Sequence, residues 1–157
     1  MTLRNGRAAI AKGSLAGTVG TVVMSAVMLS ARRAGLVKEL PPERITASLL
    51  NALGLHERGE RTQDALAALL HMVFGATGGA LFALLHRWLR VPIAPAAQGV
   101  IYGGLVWLVN YMGWVPALGI MPTPAHDEPR RPMVMVIAHC IYGGVLGAIV
   151  GQTSRES

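Results

Sequence analysis

Two histidines occupy the same place in two similar stretches. His71 opens HMVFGATGGAL and His139 opens HCIYGGVLGAI. Each reads His-x-x-x-Gly-x-x-x-Gly, with an aromatic residue, Phe74 or Tyr142, before the first glycine. Imidazole titrates near physiological pH and ligates metals. A pair of imidazoles in apolar surroundings therefore supports three chemistries. They could form structural hydrogen bonds across helices, because an unpaired polar group is costly in lipid. They could move or sense protons, since ionisable groups inside a membrane are candidates for function. They could also be two axial ligands on haem iron. The structural role is the leading expectation, with no cofactor; the proton-linked role comes next and haem third. Gly75 and Gly79, and Gly143 and Gly147, follow their histidines by four and eight residues and share their helix face. They remove bulk, so that a neighbouring helix or a flat ligand can pack there.

The elements that carry these residues follow from composition. Of 157 residues, 52% are hydrophobic and 14% are charged, against about 25% charged in ordinary soluble domains. No Asp, Glu, Lys or Arg interrupts residues 13–31, 65–85, 91–120 or 132–153. A bilayer-spanning helix needs about 20 mostly apolar residues. The expectation is an all-α fold, a single integral membrane domain over 1–157 with four transmembrane helices at about 8–31, 65–88, 94–115 and 132–151. The first apolar run is long and ends in Ser30-Ala31-Arg32-Arg33, which favours an uncleaved helix over a signal peptide. Cys140 is the only cysteine, so an internal disulfide is impossible. The net charge of +6 is read as basic residues facing anionic headgroups, with the lipid bilayer as partner and no nucleic acid.

The histidine stretches belong to a larger repeat. KGSLAG in the first span and QGVIYG in the third each place a long polar residue, Lys12 or Gln98, before Gly-x-x-x-Gly. Span 1 thus resembles span 3, and span 2 resembles span 4: two parallel helical-hairpin repeats. Lys12 to His71 is 59 positions and Gln98 to His139 is 41, the difference matching an insert in the first connection. Spans 2 and 4 then run the same way, which sets His71 and His139 about 10 Å below one membrane face. Asn110 and Ser25 come to a similar depth, so a polar layer of Ser25, His71, Asn110 and His139 is expected near the face opposite the termini. Gly13, Gly17, Gly99 and Gly103 complete the set of helix-packing glycines, which could also serve a homo-oligomer or a membrane-protein partner.

The insert LPPERITASLLNALGL reads as a short amphipathic helix at about 42–54, started by Pro42 and stopped by Gly54. It would lie on the membrane surface, dock a partner or cap the bundle. WVPALGIMPTPAHDEPRRP is a proline-rich loop in which His126, Asp127 and Glu128 are expected to form a solvated turn. Trp88 and Trp114 suit interfacial anchors. The sequence holds no nucleophile elbow, phosphate loop, HExxH or paired carboxylates, so no enzyme is expected. The side carrying the termini has six Lys/Arg and the other side eight; the compact charge of the amino end and HRWLR places the termini in the cytoplasm.

The stretches KGSLAGTVGTVVM, HMVFGATGGALFALL, WVPALGIMP and HCIYGGVLGAIVG resemble small bacterial inner-membrane proteins, among them the YagU-like acid-resistance family. That resemblance implies a four-helix protein of the bacterial inner membrane with a role in acid stress, and no catalytic residues. The expected function is accordingly a structural or stress-response membrane protein, self-associating through glycine faces. The alternatives are a pH-responsive transporter or channel-like protein, and a haem-binding membrane subunit using His71 and His139.

Overall fold

The computed structural model describes residues 3–55, 59–89 and 91–152, whose regular structure is helical throughout. α1 is Leu3–Arg33, α2 Pro41–Ala52, α3 Glu60–Leu89, α4 Pro95–Val109, α5 Val115–Ala117 and α6 Arg131–Gln152. A π-helical turn, Asn110–Trp114, joins α4 to α5, and a 3-10 turn, Pro124–His126, precedes α6. Four segments are long and apolar enough to cross a bilayer: Gly6–Arg33, Glu60–Leu89, Pro95–Ala117 and Arg131–Gln152. The shortest has 22 residues, which spans about 33 Å at 1.5 Å per residue against a hydrocarbon core of about 30 Å.

Two helices begin well before the apolar runs. α1 starts at Leu3 rather than Ala8, and α3 at Glu60 rather than Ala65. Helical hydrogen bonding continues through the polar turns because it needs no apolar side chains. α2 starts on Pro41 and Pro42, whose fixed φ suits a first turn, and the Glu43 carboxylate accepts from the Leu40 N–H at 3.3 Å. Its end, like that of α1, is closed by a left-handed glycine. Gly35 (φ 71°) and Gly54 (φ 68°) let Leu36 N–H reach Ala31 O at 2.9 Å and Leu55 N–H reach Leu50 O at 2.8 Å.

The third span is not the continuous helix expected to residue 115. α4 ends at Val109, and Val115 N–H bonds back five residues to Asn110 O. Gly113 leaves helical geometry altogether (φ −104°, ψ −111°). Pro116 is the physical reason: it has no N–H to give Met112 O, and its ring crowds that carbonyl, so the preceding turn widens.

The long helices form an up-down ring. α1 packs along α3 and α4 along α6, α1 and α6 meet in the centre, and α3 and α4 touch only lightly. α2 packs on α3, burying Thr46 and Leu50. Each intimate pair is a glycine contact. A Cβ added at Gly13 would overlap Gly79 O, and one at Gly17 would overlap Gly75 O. In the second pair, Gly99 faces Gly143 O, Gly103 faces His139 O and Gly147 faces Pro95 O. Backbones this close gain dispersion contacts that any side chain would hold apart. The two pairs are not superposable. Under the repeat, Gly99 is the counterpart of Gly13 and Gly147 of Gly79; Gly13 lies closest to Gly79 O, whereas Gly99 lies closest to Gly143 O, one helical turn away, with Gly147 N next.

The outward faces are apolar: Leu15, Val19 and Val22 on α1, Leu69, Val73, Phe74 and Leu81 on α3, Ile101, Leu105 and Leu108 on α4, and Met133 and Ile137 on α6 are all exposed. Trp88 and Trp114 are exposed at helix ends. Gly99→Val should therefore destabilise the bundle by about 3 kcal/mol or more, while Gly104→Ala, where an added Cβ meets nothing within 4 Å, should be neutral. Thermal melting in detergent separates the two, and equal melting temperatures would refute the glycine contact.

Candidate functional site

The two histidine helices, α3 and α6, run parallel across the ring. Tyr142 O–H donates to Gly75 O at 2.8 Å, and Tyr102 O–H, from α4, donates to Gly78 O at 2.7 Å. These bonds stitch the second hairpin to the glycine stretch of the first. His71 lies four residues before Gly75 and His139 three before Tyr142, so both imidazoles sit about 5–6 Å beyond this tie and close to the same level. The surrounding interior is apolar and rich in methionine, with Met24, Met28 and Met135 buried.

Within this layer the polar side chains bond locally. His139 Nδ1–H donates to Met135 O at 2.8 Å on its own helix, which leaves Nε2 as the acceptor of the neutral ring. Asn110 Oδ1 accepts from Trp114 Nε1–H at 2.6 Å across the π-helical turn. Ser25 is half-buried. His71 Nε2 is buried and has no hydrogen-bond partner, and so is Trp107 Nε1, whose ring stacks on Tyr111. The chain thus brings the histidines to one level without joining Ser25, His71, Asn110 and His139 by hydrogen bonds. The space beside the first glycine after each histidine is filled by the neighbouring helix. Thr21, with Oγ1 bonded to Gly17 O at 2.7 Å, fills the space beside Gly75, and the Gly99 backbone fills that beside Gly143. Among the described residues, no three His, Cys, Asp or Glu side chains gather as a metal site.

A stronger polar site lies at the start of α6, in the segment expected to be a solvated turn. His126 is exposed and bonds Thr123, but Asp127 turns inward. The Arg131 side chain is 2% exposed and that of Asp127 1%, and they pair through Arg131 Nη1 and Asp127 Oδ1 at 2.6 Å. Arg131 Nη2 holds Glu128 Oε1 at 2.6 Å, and Tyr111 O–H donates to Asp127 Oδ2. Glu128 Oε2 accepts the Lys38 N–H at 3.3 Å. The cluster therefore joins three separate segments: the π-helical turn, the start of α6 and the α1–α2 loop. The sequence signal was present as acids three and four residues before Arg131, close enough along the chain to fold back onto its guanidinium just ahead of α6. Hydropathy hides it, because it scores every charge as solvated. At the opposite end, His86 Nδ1 and Gln98 Oε1 lie 2.7 Å apart and Gln98 Nε2–H donates to Val91 O and Ile93 O, closing the α3–α4 turn.

Removing one member of the buried pair leaves an uncompensated charge. Asp127→Ala should cost about 3 kcal/mol, whereas Glu43→Gln, which breaks the half-exposed pair with Arg32, should cost under about 1 kcal/mol. Tyr142→Phe should cost about 0.6 kcal/mol, the average for a bond between membrane helices. Unfolding of the purified variants in mixed micelles checks the ranking.

Residues 7–157 match a family described as a family of unknown function (DUF6789). No curated protein and no solved structure matches the chain.

Proposed function

The chain belongs to DUF6789, a family of unknown function, and we propose that it is a non-enzymatic, multi-pass protein of the bacterial inner membrane with a structural or acid-stress role. One observation carries this reading: four long helices turn apolar side chains outward, while their polar groups bond mainly within the bundle. Lipid is the solvent that such a surface suits. The likeness to the YagU-like family supplies the acid-stress element of the proposal. The eight packing glycines lie against neighbouring helices inside the chain, and any self-association is proposed to use the remaining surfaces.

Both termini are assigned to the cytoplasm. Single cysteines at Gln152 and Asn51, introduced in a Cys140→Ser background, test the arrangement with a membrane-impermeant thiol reagent in intact cells. Asn51→Cys should label from outside and Gln152→Cys only after lysis; the reverse pattern overturns the orientation, and labelling of both from outside overturns the four-span reading.

A second reading, a pH-responsive bundle, is favoured by His71, whose buried Nε2 lacks a partner. Protonation there would place a charge in an apolar interior, and that charge would require rearrangement or a counter-ion. Changing both His71 and His139 to Gln should abolish any acid-survival phenotype that the parent gene confers while leaving insertion intact. Unchanged acid survival would leave the histidines a packing role only.

A further inference from the structure

The face opposite the termini is built from the end of α1, the α1–α2 loop, α2 and the segment before α6. Residues 32–44 and 127–131 contribute six basic and four acidic side chains to it. Every one of those acids is engaged. Asp127 and Glu128 hold Arg131, Glu43 holds Arg32 at 2.5 Å, and Glu39 holds Arg44 at 3.4 Å. The basic residues left over are Arg33, Lys38 and Arg130, all exposed and without an ion pair among the described residues. Lys38 and Arg130 line one cleft of about 250 Å³, together with Gly35, Leu36, Val37, Pro129 and Glu128, whose carboxylate is taken up by Arg131 and the Lys38 backbone N–H.

Apolar surface adjoins these cations. Leu36, at the cleft, is 37% exposed, and α2 leaves Leu49 45% and Leu53 62% exposed beside the stripe it buries. Cations next to exposed leucines, at the end of membrane-spanning helices, match the chemistry of a phospholipid: a phosphate at the headgroup level and acyl chains below it. The already satisfied acids do not compete for the cations, and the cleft is formed by loops held in place through Arg131 and the Glu128–Lys38 contact.

We propose that this cleft binds the headgroup of an anionic phospholipid, its phosphate between Lys38 and Arg130 and its acyl chains along Leu36 and the exposed edge of α2. The site rests on the membrane reading given above. It makes α2 an interfacial element as well as a helix packed on α3.

The test uses the full chain reconstituted in vesicles of equimolar phosphatidylcholine and phosphatidylglycerol. Flotation first reports insertion. The protein is then extracted in mild detergent and the co-purifying lipids are quantified by mass spectrometry. The parent should float and retain phosphatidylglycerol in excess. The Lys38→Gln/Arg130→Gln double variant should float equally but lose enrichment by about 5-fold per charge removed. Lys38→Arg should keep the enrichment, as should Arg7→Gln on the other face. Floating protein that retains both lipids equally, or a double variant that enriches like its parent, overturns the site while leaving the membrane reading intact. Loss of enrichment on adding inorganic phosphate at the lipid concentration would mark a free-anion site and also overturn it. A parent that fails to float overturns the membrane reading and the site together.

Discussion

Close backbone contact between glycines is the constraint on which this bundle depends. In lipid, helices gain little from hiding apolar side chains, because the surrounding chains are equally apolar. Association must come from packing density and from polar bonds that lipid cannot offer. Gly13 and Gly17 against Gly75 and Gly79, and Gly99 and Gly103 against Gly143 and Gly147 and the neighbouring backbone, bring main chains close enough for both. Glycine carbonyls left uncovered by side chains then become acceptors: Gly75 O and Gly78 O take the hydroxyls of Tyr142 and Tyr102. The same residues that allow the hairpins to close also supply the points at which one hairpin is fastened to the other.

Much of this was legible in the sequence. Charge-free runs locate the four spans because lipid tolerates few alternatives to an apolar helix. The repeated His-x-x-x-Gly-x-x-x-Gly marks the packing faces, since small residues four apart make a smooth strip. The helix ends were less legible: α1 and α3 run on through Arg7 and through Glu60 to Asp64, where side chains reach water while the backbone stays helical. The π-helical turn was signalled by Gly113 and Pro116, yet apolar content alone cannot distinguish a widened turn from a regular one.

The polar groups were the least legible part. Asn110 bonds Trp114 and His139 bonds Met135 O, each within its own segment, because a partner one turn away needs no precise helix crossing. Arg131, Asp127 and Glu128 form the strongest polar cluster, although a string of charges beside prolines reads as solvent-exposed. What decided their placement was three-dimensional: Tyr111 arrives from another helix, and the Lys38 backbone from another loop. Neither approach is encoded in local spacing.

The register difference between the hairpins has a consequence for how the bundle is held. A strip of glycines spaced at one turn is a row of notches, and a row of notches offers more than one seat. The first pair settles in one, and the second settles a notch along, about 5.4 Å away in helix pitch. In that seat Tyr111 comes level with the start of α6 and meets Asp127; a notch back, it would stand opposite Met135, among methionines. The two glycine strips thus close in different registers, and the charged knot around Arg131 sits where the second register brings Tyr111 to Asp127.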